Sequence, residues 1–250
     1  MRFPVYFDLG PLHLHPHWVF ESLAYFVGFR VYLWTRKRRG DHLSGGNRAW
    51  VVAAAIAGAA IGSKLLYWLA DPVQTVHNWN NLTYLMAGKT VVGGLLGGLF
   101  AVEWAKRRLR VERRTGDLFA IPLAVGIAIG RIGCFLSGLT DDTYGIPTGL
   151  PWGVDFGDGV ARHPTQLYEI AWLALLALWL WRLARQPHRE GDLFKTLMVG
   201  YLGFRLLIDF LKPGVALIGL TSIQWACLAT LVYYGVDMPR LLRLKGEESV

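Results

Sequence analysis

The chain alternates apolar segments with short basic loops, and this alternation limits what it can fold into. The apolar segments cover about 18–34, 50–70, 89–105, 118–136, 167–181, 193–211 and 217–236. Each is close to the roughly 20 residues that an α-helix needs to cross the hydrocarbon core of a bilayer. Lys and Arg concentrate at 36–48, 106–114, 182–195 and 240–245, and the intervening loops are poor in both. Cytoplasmic loops carry the excess of Lys and Arg. The pattern therefore predicts an all-α polytopic membrane protein with about seven transmembrane helices, N-terminus outside and C-terminus cytoplasmic. The chain reads as a single domain over 1–250, with an outer-face loop region at 138–166.

Composition agrees with this reading. Charged residues make up 18% of the 250 positions and hydrophobic residues 53%, too little charge for an ordinary soluble domain of this size. The 11 Trp and 10 Tyr suit membrane–water interfaces. The net charge of +8 is accounted for by the basic loops. No recognition motif accompanies it, so no nucleic-acid partner is expected. The N-terminus lacks the basic region, short apolar core and small-residue cleavage site of a signal peptide, so the first segment is expected to stay as an anchor. Cys134 and Cys227 offer neither a disulfide framework nor a CxxC metal site. His13, His15 and His17 are spaced like metal ligands, but Pro16 interrupts them and no carboxylate or Cys lies beside them in sequence. An interfacial segment is the expectation there, with no metal and no cofactor.

Most cations outside the basic loops lie at outer segment ends: Lys64, Lys89, Arg131, Arg162 and Arg205. A charge there is costly unless it is paired or faces a polar cavity. Arg205 and Asp209 are four residues apart and share a helix face. Two readings follow: a self-neutralising structural pair, or an Arg held by Asp209 to receive a phosphate, whose oxygens fit the guanidinium fork. Several such cations on different helices favour the anionic headgroup. Lys64 either snorkels outward or faces an anion. Glu21 is either a functional carboxylate or an interfacial one facing water. Gly93, Gly94, Gly97 and Gly98 form a small-residue face that lets helices or a lipid approach closely. Asp141, Asp142, Asp155 and Asp158 read as solvated loop residues. His163 is either a general base or a turn residue before Pro164. Glu169 either caps its helix or organises Arg131 or Arg162.

Residues 130–169 then carry a resemblance. Gly130-Arg-Ile-Gly-Cys-Phe-Leu-Ser-Gly138 resembles the GRxGNFxNGE signature of prolipoprotein diacylglyceryl transferases. Tyr144-Gly-Ile-Pro-Thr148 and Leu150-Pro-Trp-Gly153 resemble the segment that follows it. Arg162-His-Pro-Thr-Gln-Leu-Tyr-Glu169 resembles that family's RHPSQLYE motif, and Tyr201-Leu-Gly-Phe-Arg205-Leu-Leu-Ile-Asp209-Phe210 its YGxxRFxxEFxR block. The resemblance implies a seven-helix fold in the bacterial plasma (inner) membrane. It also implies transfer of a diacylglyceryl group from phosphatidylglycerol, a membrane lipid, to the lipobox cysteine thiol in a prolipoprotein signal peptide, releasing glycerol phosphate. Arg131 and Arg205 are then expected to bind phosphate, with Asp209 orienting Arg205 and His163 as base. Gln166, Tyr168, Glu169, Tyr201, Arg162, Ser137, Gly138, Glu21, Lys64, Gly93 and Gly94 are expected around the substrate. Some positions depart from the family. Val92 stands where its third-helix motif has His, Cys134 and Ser137 replace asparagines, Leu139 replaces Glu, Asp209 replaces Glu, and Glu21 stands where Tyr is frequent. The base has then moved to His163, Glu21 or Asp142, or the acceptor differs. A non-catalytic protein binding anionic lipid is the alternative of another class.

Overall fold

A computed structural model of the chain describes residues 3–41, 43–238 and 241. The basic residues expected at 240, 243 and 245, and Arg2, lie outside the described residues. The chain is mostly helical. Its helices are α1 (Pro16–Arg39), α2 (Gly45–Ala70), α3 (Pro72–His77), α4 (Leu82–Met86), α5 (Val91–Arg108), α6 (Asp117–Ser137), α7 (Thr165–Leu183), α8 (Asp192–Ile208) and α9 (Ser222–Tyr234). Short antiparallel hairpins pair β1 (Phe7–Leu9) with β2 (Leu12–Leu14), β3 (Val154–Asp155) with β4 (Ala161–Arg162), and β5 (Ala216–Leu217) with β6 (Leu220–Thr221). Among the described residues, two helical stretches, α2 and α6 with the 3₁₀ turn that carries it to Asp141, are long and apolar enough to cross a membrane.

The helix ends follow from local chemistry. Pro16 occupies the first turn of α1, where a missing N–H costs nothing. Gly40, at φ 79°, closes that helix after Arg36 to Arg39. Ser44 and Thr90 accept from the backbone N–H of Asn47 and Gly93 to start α2 and α5. The stretch between the second and third apolar segments holds α3 and α4, begun by Asp71 and Asn81. The last apolar segment was expected from 217, but its helix begins at Ser222. Residues 216–221 form the β5–β6 hairpin around Ile218 and Gly219, both at positive φ. Thr221 and Gln224 then form a reciprocal cap: Thr221 N–H donates to Gln224 Oε1 (2.9 Å) and Gln224 N–H to Thr221 Oγ1 (3.1 Å). The sixth segment, expected to run to 211, ends its α-helix at Ile208 and tightens into a 3₁₀ turn over Asp209–Leu211.

The chain separates into two compact units, each discontinuous in sequence. The first contains α1, α6, α7 and α8. Leu173, Leu180, Leu193, Leu197, Met198, Tyr201 and Leu202 are fully buried along α7 and α8. Tyr32 stacks on Phe119 to join α1 to α6 (centroids 4.8 Å apart). Gly133 admits α1, since a Cβ there would lie 2.8 Å from Phe20 Cβ. Asp117, at the start of α6, accepts from the backbone N–H of Gly191 (2.7 Å) and Phe194 (3.1 Å) and so caps α8. The second unit holds α2, α5 and α9. There α2 and α5 touch backbone to backbone: a Cβ on Gly93 would lie 2.3 Å from Gly62 O, and one on Gly97 2.2 Å from Gly58 O. Such small-residue contacts suit helices in lipid, where close packing replaces the hydrophobic effect as the force between them. Trp50, Ile56, Ile61, Leu65 and Leu69 of α2 remain exposed, an apolar face suited to lipid and costly in water.

Candidate functional site

The site of the first unit is built around Glu169, in the first turn and a half of α7, which is completely buried. Its Oε1 accepts from Tyr201 Oη (2.6 Å) and lies 2.9 Å from Arg131 Nε. Its Oε2 meets Arg205 Nη1 at 3.3 Å and Lys212 Nζ at 3.9 Å. Arg205 Nη2 reaches Asp209 at 2.7 Å. Three helices therefore deliver the group: α6 brings Arg131, α7 brings Glu169, and α8 brings Tyr201 and Arg205. The 3₁₀ turn after α8 places Asp209 and Lys212. Of the two partners the sequence offered Glu169, the structure gives it Arg131. Arg162 goes elsewhere.

Burial makes such a group costly unless its charges are paired. Arg205 Nε is shielded from solvent and has no aligned acceptor among the described residues. Two arginines face two carboxylates, so Lys212 decides whether the group carries a net positive charge. Burial, and secondarily the Arg205 charge, lower its ammonium from the ordinary lysine range to about 7. Lys212 lies between the sixth and seventh apolar segments, and nothing in the sequence places it beside Glu169. The 3₁₀ turn that brings it round leaves no periodic signal.

The loops of residues 143–163 belong to the same unit. Arg162 grips Asp158 with both terminal nitrogens (2.6 and 2.7 Å) and lies over the Tyr144 ring, so it stands outside the Glu169 group. The pair holds the Asp158 carboxyl below its usual range. Asp155 Oδ1 accepts from the N–H groups of Gly157, Asp158 and Gly159, the loop role expected of it. The His163 ring faces Tyr168, Nδ1 to Oη 3.3 Å, and Tyr168 Oη accepts from Trp152 Nε1 (2.7 Å). Gln166 is buried and donates to Thr143 Oγ1 (3.2 Å). Ser137 donates to Gly133 O (2.8 Å), one turn back on its own helix. Gly138 takes φ 63° to leave α6, where Phe3 packs against it.

Asp141 is not the solvated loop residue expected from sequence. The 3₁₀ turn at Gly138–Asp141 carries it back toward α1, and its Oδ1 lies 3.0 Å from His17 Nδ1. Cys134 lies in the same place, with Arg131 Nη1 3.6 Å from its sulfur. Glu21, one turn along α1, accepts from Tyr25 Oη (3.1 Å) and stands 3.6 Å from His17 Nε2. Of the three N-terminal histidines, His13 pairs with Asp8 on the β1–β2 hairpin and His15 caps α1, so His17 alone turns into the unit. More than a hundred residues separate it from Cys134 and Asp141, so no spacing rule could have joined them.

Lys64, Gly93 and Gly94 belong to the second unit. Lys64 takes neither course expected of it: its Nζ donates to the backbone carbonyls of Met86, Ala87 (2.7 Å) and Gly88 (2.7 Å), closing the end of α4. Gly93 is in contact with α2, while Gly94 meets only ordinary van der Waals neighbours. Val92, where the resemblance leads one to look for His, is buried in that unit's core.

By class this is a helical membrane protein that buries two arginines and two carboxylates in one group. Comparison with known proteins narrows this. The family model for prolipoprotein diacylglyceryl transferase matches residues 4–237. The chain is 32% identical to a phosphatidylglycerol–prolipoprotein diacylglyceryl transferase of Cupriavidus metallidurans, over 92% of this chain and 89% of the relative. It is 31% identical to the enzyme of the same name from Vibrio vulnificus, over 87% of this chain and 81% of that one. The chain belongs to the prolipoprotein diacylglyceryl transferase family.

Proposed function

We propose that this chain transfers a diacylglyceryl group from phosphatidylglycerol to the lipobox cysteine thiol of a prolipoprotein, forming a thioether and releasing glycerol phosphate. It acts in the bacterial plasma membrane as a multi-pass protein. The observation that carries the reading is the Glu169-centred group, with Arg131 and Arg205 fixed from different helices. Charge develops on the phosphate as its bond to the diacylglyceryl carbon breaks, and preorganised cations lower that barrier. In this reading Arg131 and Arg205 hold the phosphate, Glu169 and Asp209 fix their planes, and Gln166, Tyr168 and Tyr201 line the headgroup. Ser137, Gly138 and Arg162 shape its mouth. Glu21 stands on the acceptor side. Within the second unit, lipid contact is kept as the proposed role of Lys64, Gly93 and Gly94. His163 is the base candidate, and unchanged rates in His163→Ala would remove it.

We propose the seven-span topology with it, N-terminus outside, both units serving one transferase domain and the 138–166 region at the outer face. In the first unit, Arg–Trp pairs at the basic ends of α1 (Arg38 over Trp34) and α7 (Arg185 over Trp181) support a cytoplasmic interface for those ends. The buried Val92 favours a second reading, in which the diacylglyceryl group goes to another acceptor. Mass spectrometry of products from phosphatidylglycerol and a lipobox peptide decides between them. A thioether-linked diacylglyceryl peptide is the expected product; none at all, in a protein that rescues no transferase-depleted strain, would discard the first reading.

A further inference from the structure

We propose that His17, Cys134 and Asp141 form a zinc-type metal site whose open position binds the acceptor thiol as thiolate. The metal part stands on geometry alone; the thiol part rests on the transfer reading above. Among the described residues these three form a group whose ligand atoms all lie within 4.8 Å of one another. A tetrahedral zinc ion would separate such atoms by about 3.3–3.6 Å. Side-chain rotation closes the difference, and His17 Nδ1 and Asp141 Oδ1 are already 3.0 Å apart. His17 Nδ1 is shielded from solvent, yet it makes no aligned hydrogen bond to that oxygen. At that separation a cation between nitrogen and oxygen competes with the His17–Asp141 ion pair for the same two atoms.

The surroundings fix each ligand as a metal site requires. Asp141 Oδ2 accepts from Thr143 Oγ1 (2.7 Å), which itself accepts from Gln166, and this leaves Oδ1 for His17. On the far side of the His17 ring, Nε2 faces the Glu21 carboxylate at 3.6 Å, the carboxylate–histidine–metal arrangement that sets ring orientation. All three ligands sit on or beside helix ends in direct contact. A Cβ on Gly133 would lie 3.3 Å from His17 Cα, so α6 is pressed against the first turn of α1. One nitrogen, one sulfur and one oxygen ligand suit a borderline-soft ion, and three protein ligands leave a position for substrate.

The chemistry balances without a redox partner. The acceptor thiol enters the fourth position as thiolate, because a coordinated thiol is deprotonated, and its proton passes to water and is taken up by the departing glycerol phosphate dianion. Its sulfur attacks the diacylglyceryl carbon. The bond from that carbon to the phosphate oxygen breaks, and the electron pair leaves with glycerol phosphate toward Arg131. A divalent ion with the Cys134 thiolate and the Asp141 carboxylate is formally neutral. The acceptor thiolate makes it singly negative, beside the Arg131 guanidinium, 3.6 Å from Cys134. The thiol is thereby activated in a chain that has Val at the family's histidine position.

Cobalt(II) titration of the detergent-purified full chain tests this. One cobalt per chain, with a sulfur-to-cobalt charge-transfer band, is expected. Cys134→Ser and Cys134→Ala should lose the band, and Thr143→Val should weaken binding about 10-fold. Asp141→Asn gives a second ligand variant, and retained phosphatidylglycerol binding shows that each variant is folded. A lipobox peptide should intensify the band, and its Cys→Ser form should not. Substoichiometric metal, or a band unchanged in Cys134→Ala, overturns the site. Full transfer rates after metal removal by chelator overturn the thiol role while leaving the transfer reading intact. Metal and thiol binding with no thioether product supports the site and rejects the transfer reading instead.

Discussion

Glu169 meets two guanidiniums, an ammonium and a phenol with no solvent to share the charge, so its replacement should cost more than that of any one cation. Breaking a buried ion pair from one side typically costs about 3–5 kcal/mol. Glu169→Ala should therefore lower the unfolding temperature in detergent sharply, whereas Arg131→Ala leaves the carboxylate with Arg205, Lys212 and Tyr201. Arg131→Ala and Arg205→Ala should keep native circular dichroism and lose transfer by roughly 10²–10³-fold. Full activity in either ends the phosphate assignment. Lys212 gives the site its pH dependence. Its folded pKa of about 7 is below that of the unfolded chain, so between about 7 and the ordinary lysine range the unfolded state binds more protons, and stability rises with pH across that window. Affinity for the anionic headgroup should run the other way, falling as pH rises through about 7, and Lys212→Arg should flatten the profile in vesicle binding. A flat wild-type profile would refute this. At this scale Arg131, and Arg205 with Asp209, were readable because misplaced charge and i,i+4 spacing are local signals. Glu169 was readable only as an open choice, and the meeting of His17 with Cys134 and Asp141 not at all, because tertiary contact between distant segments creates it.

The α2–α5 contact is the most closely fitted pairing of elements. Gly62 and Gly93 each bring a backbone carbonyl where the other's Cβ would be, so neither can accept a side chain without moving a helix. Gly93→Val and Gly62→Val should each destabilise the protein by at least about 1–3 kcal/mol, the usual cost of overpacking. Gly94→Ala, with only 3.7 Å contacts, should be nearly neutral. Comparable melting of Gly93→Val and Gly94→Ala would contradict the contact. The helices themselves were legible, since long apolar runs between basic loops leave few alternatives. Their interruptions were less so. Residues 216–221 are apolar enough to pass for the start of a span, and only the positive φ of Ile218 and Gly219 makes them a hairpin. The Thr221–Gln224 spacing was the available sign that α9 begins later.

At the scale of the whole molecule, orientation is the property to test. Single cysteines at Thr148 or Asp158 should react with a membrane-impermeant maleimide in intact cells, and those at Ser44 or Arg113 only after lysis; the reverse pattern would invert the topology. Basic loops made this reading possible, whereas the division into two discontinuous units leaves no trace in composition or charge. The Asp117 carboxylate has a consequence for how such a chain is made. No side chain of its own caps α8, and the amides of Gly191 and Phe194 rely on a residue synthesised some seventy positions earlier. The start of α8 is thus fully capped only once α6 lies beside it, a contribution of about 0.5–2 kcal/mol that Asp117→Ala should remove. A defect at Asp117 would then appear as low yield from the insertion machinery, with normal turnover in the molecules that escape it.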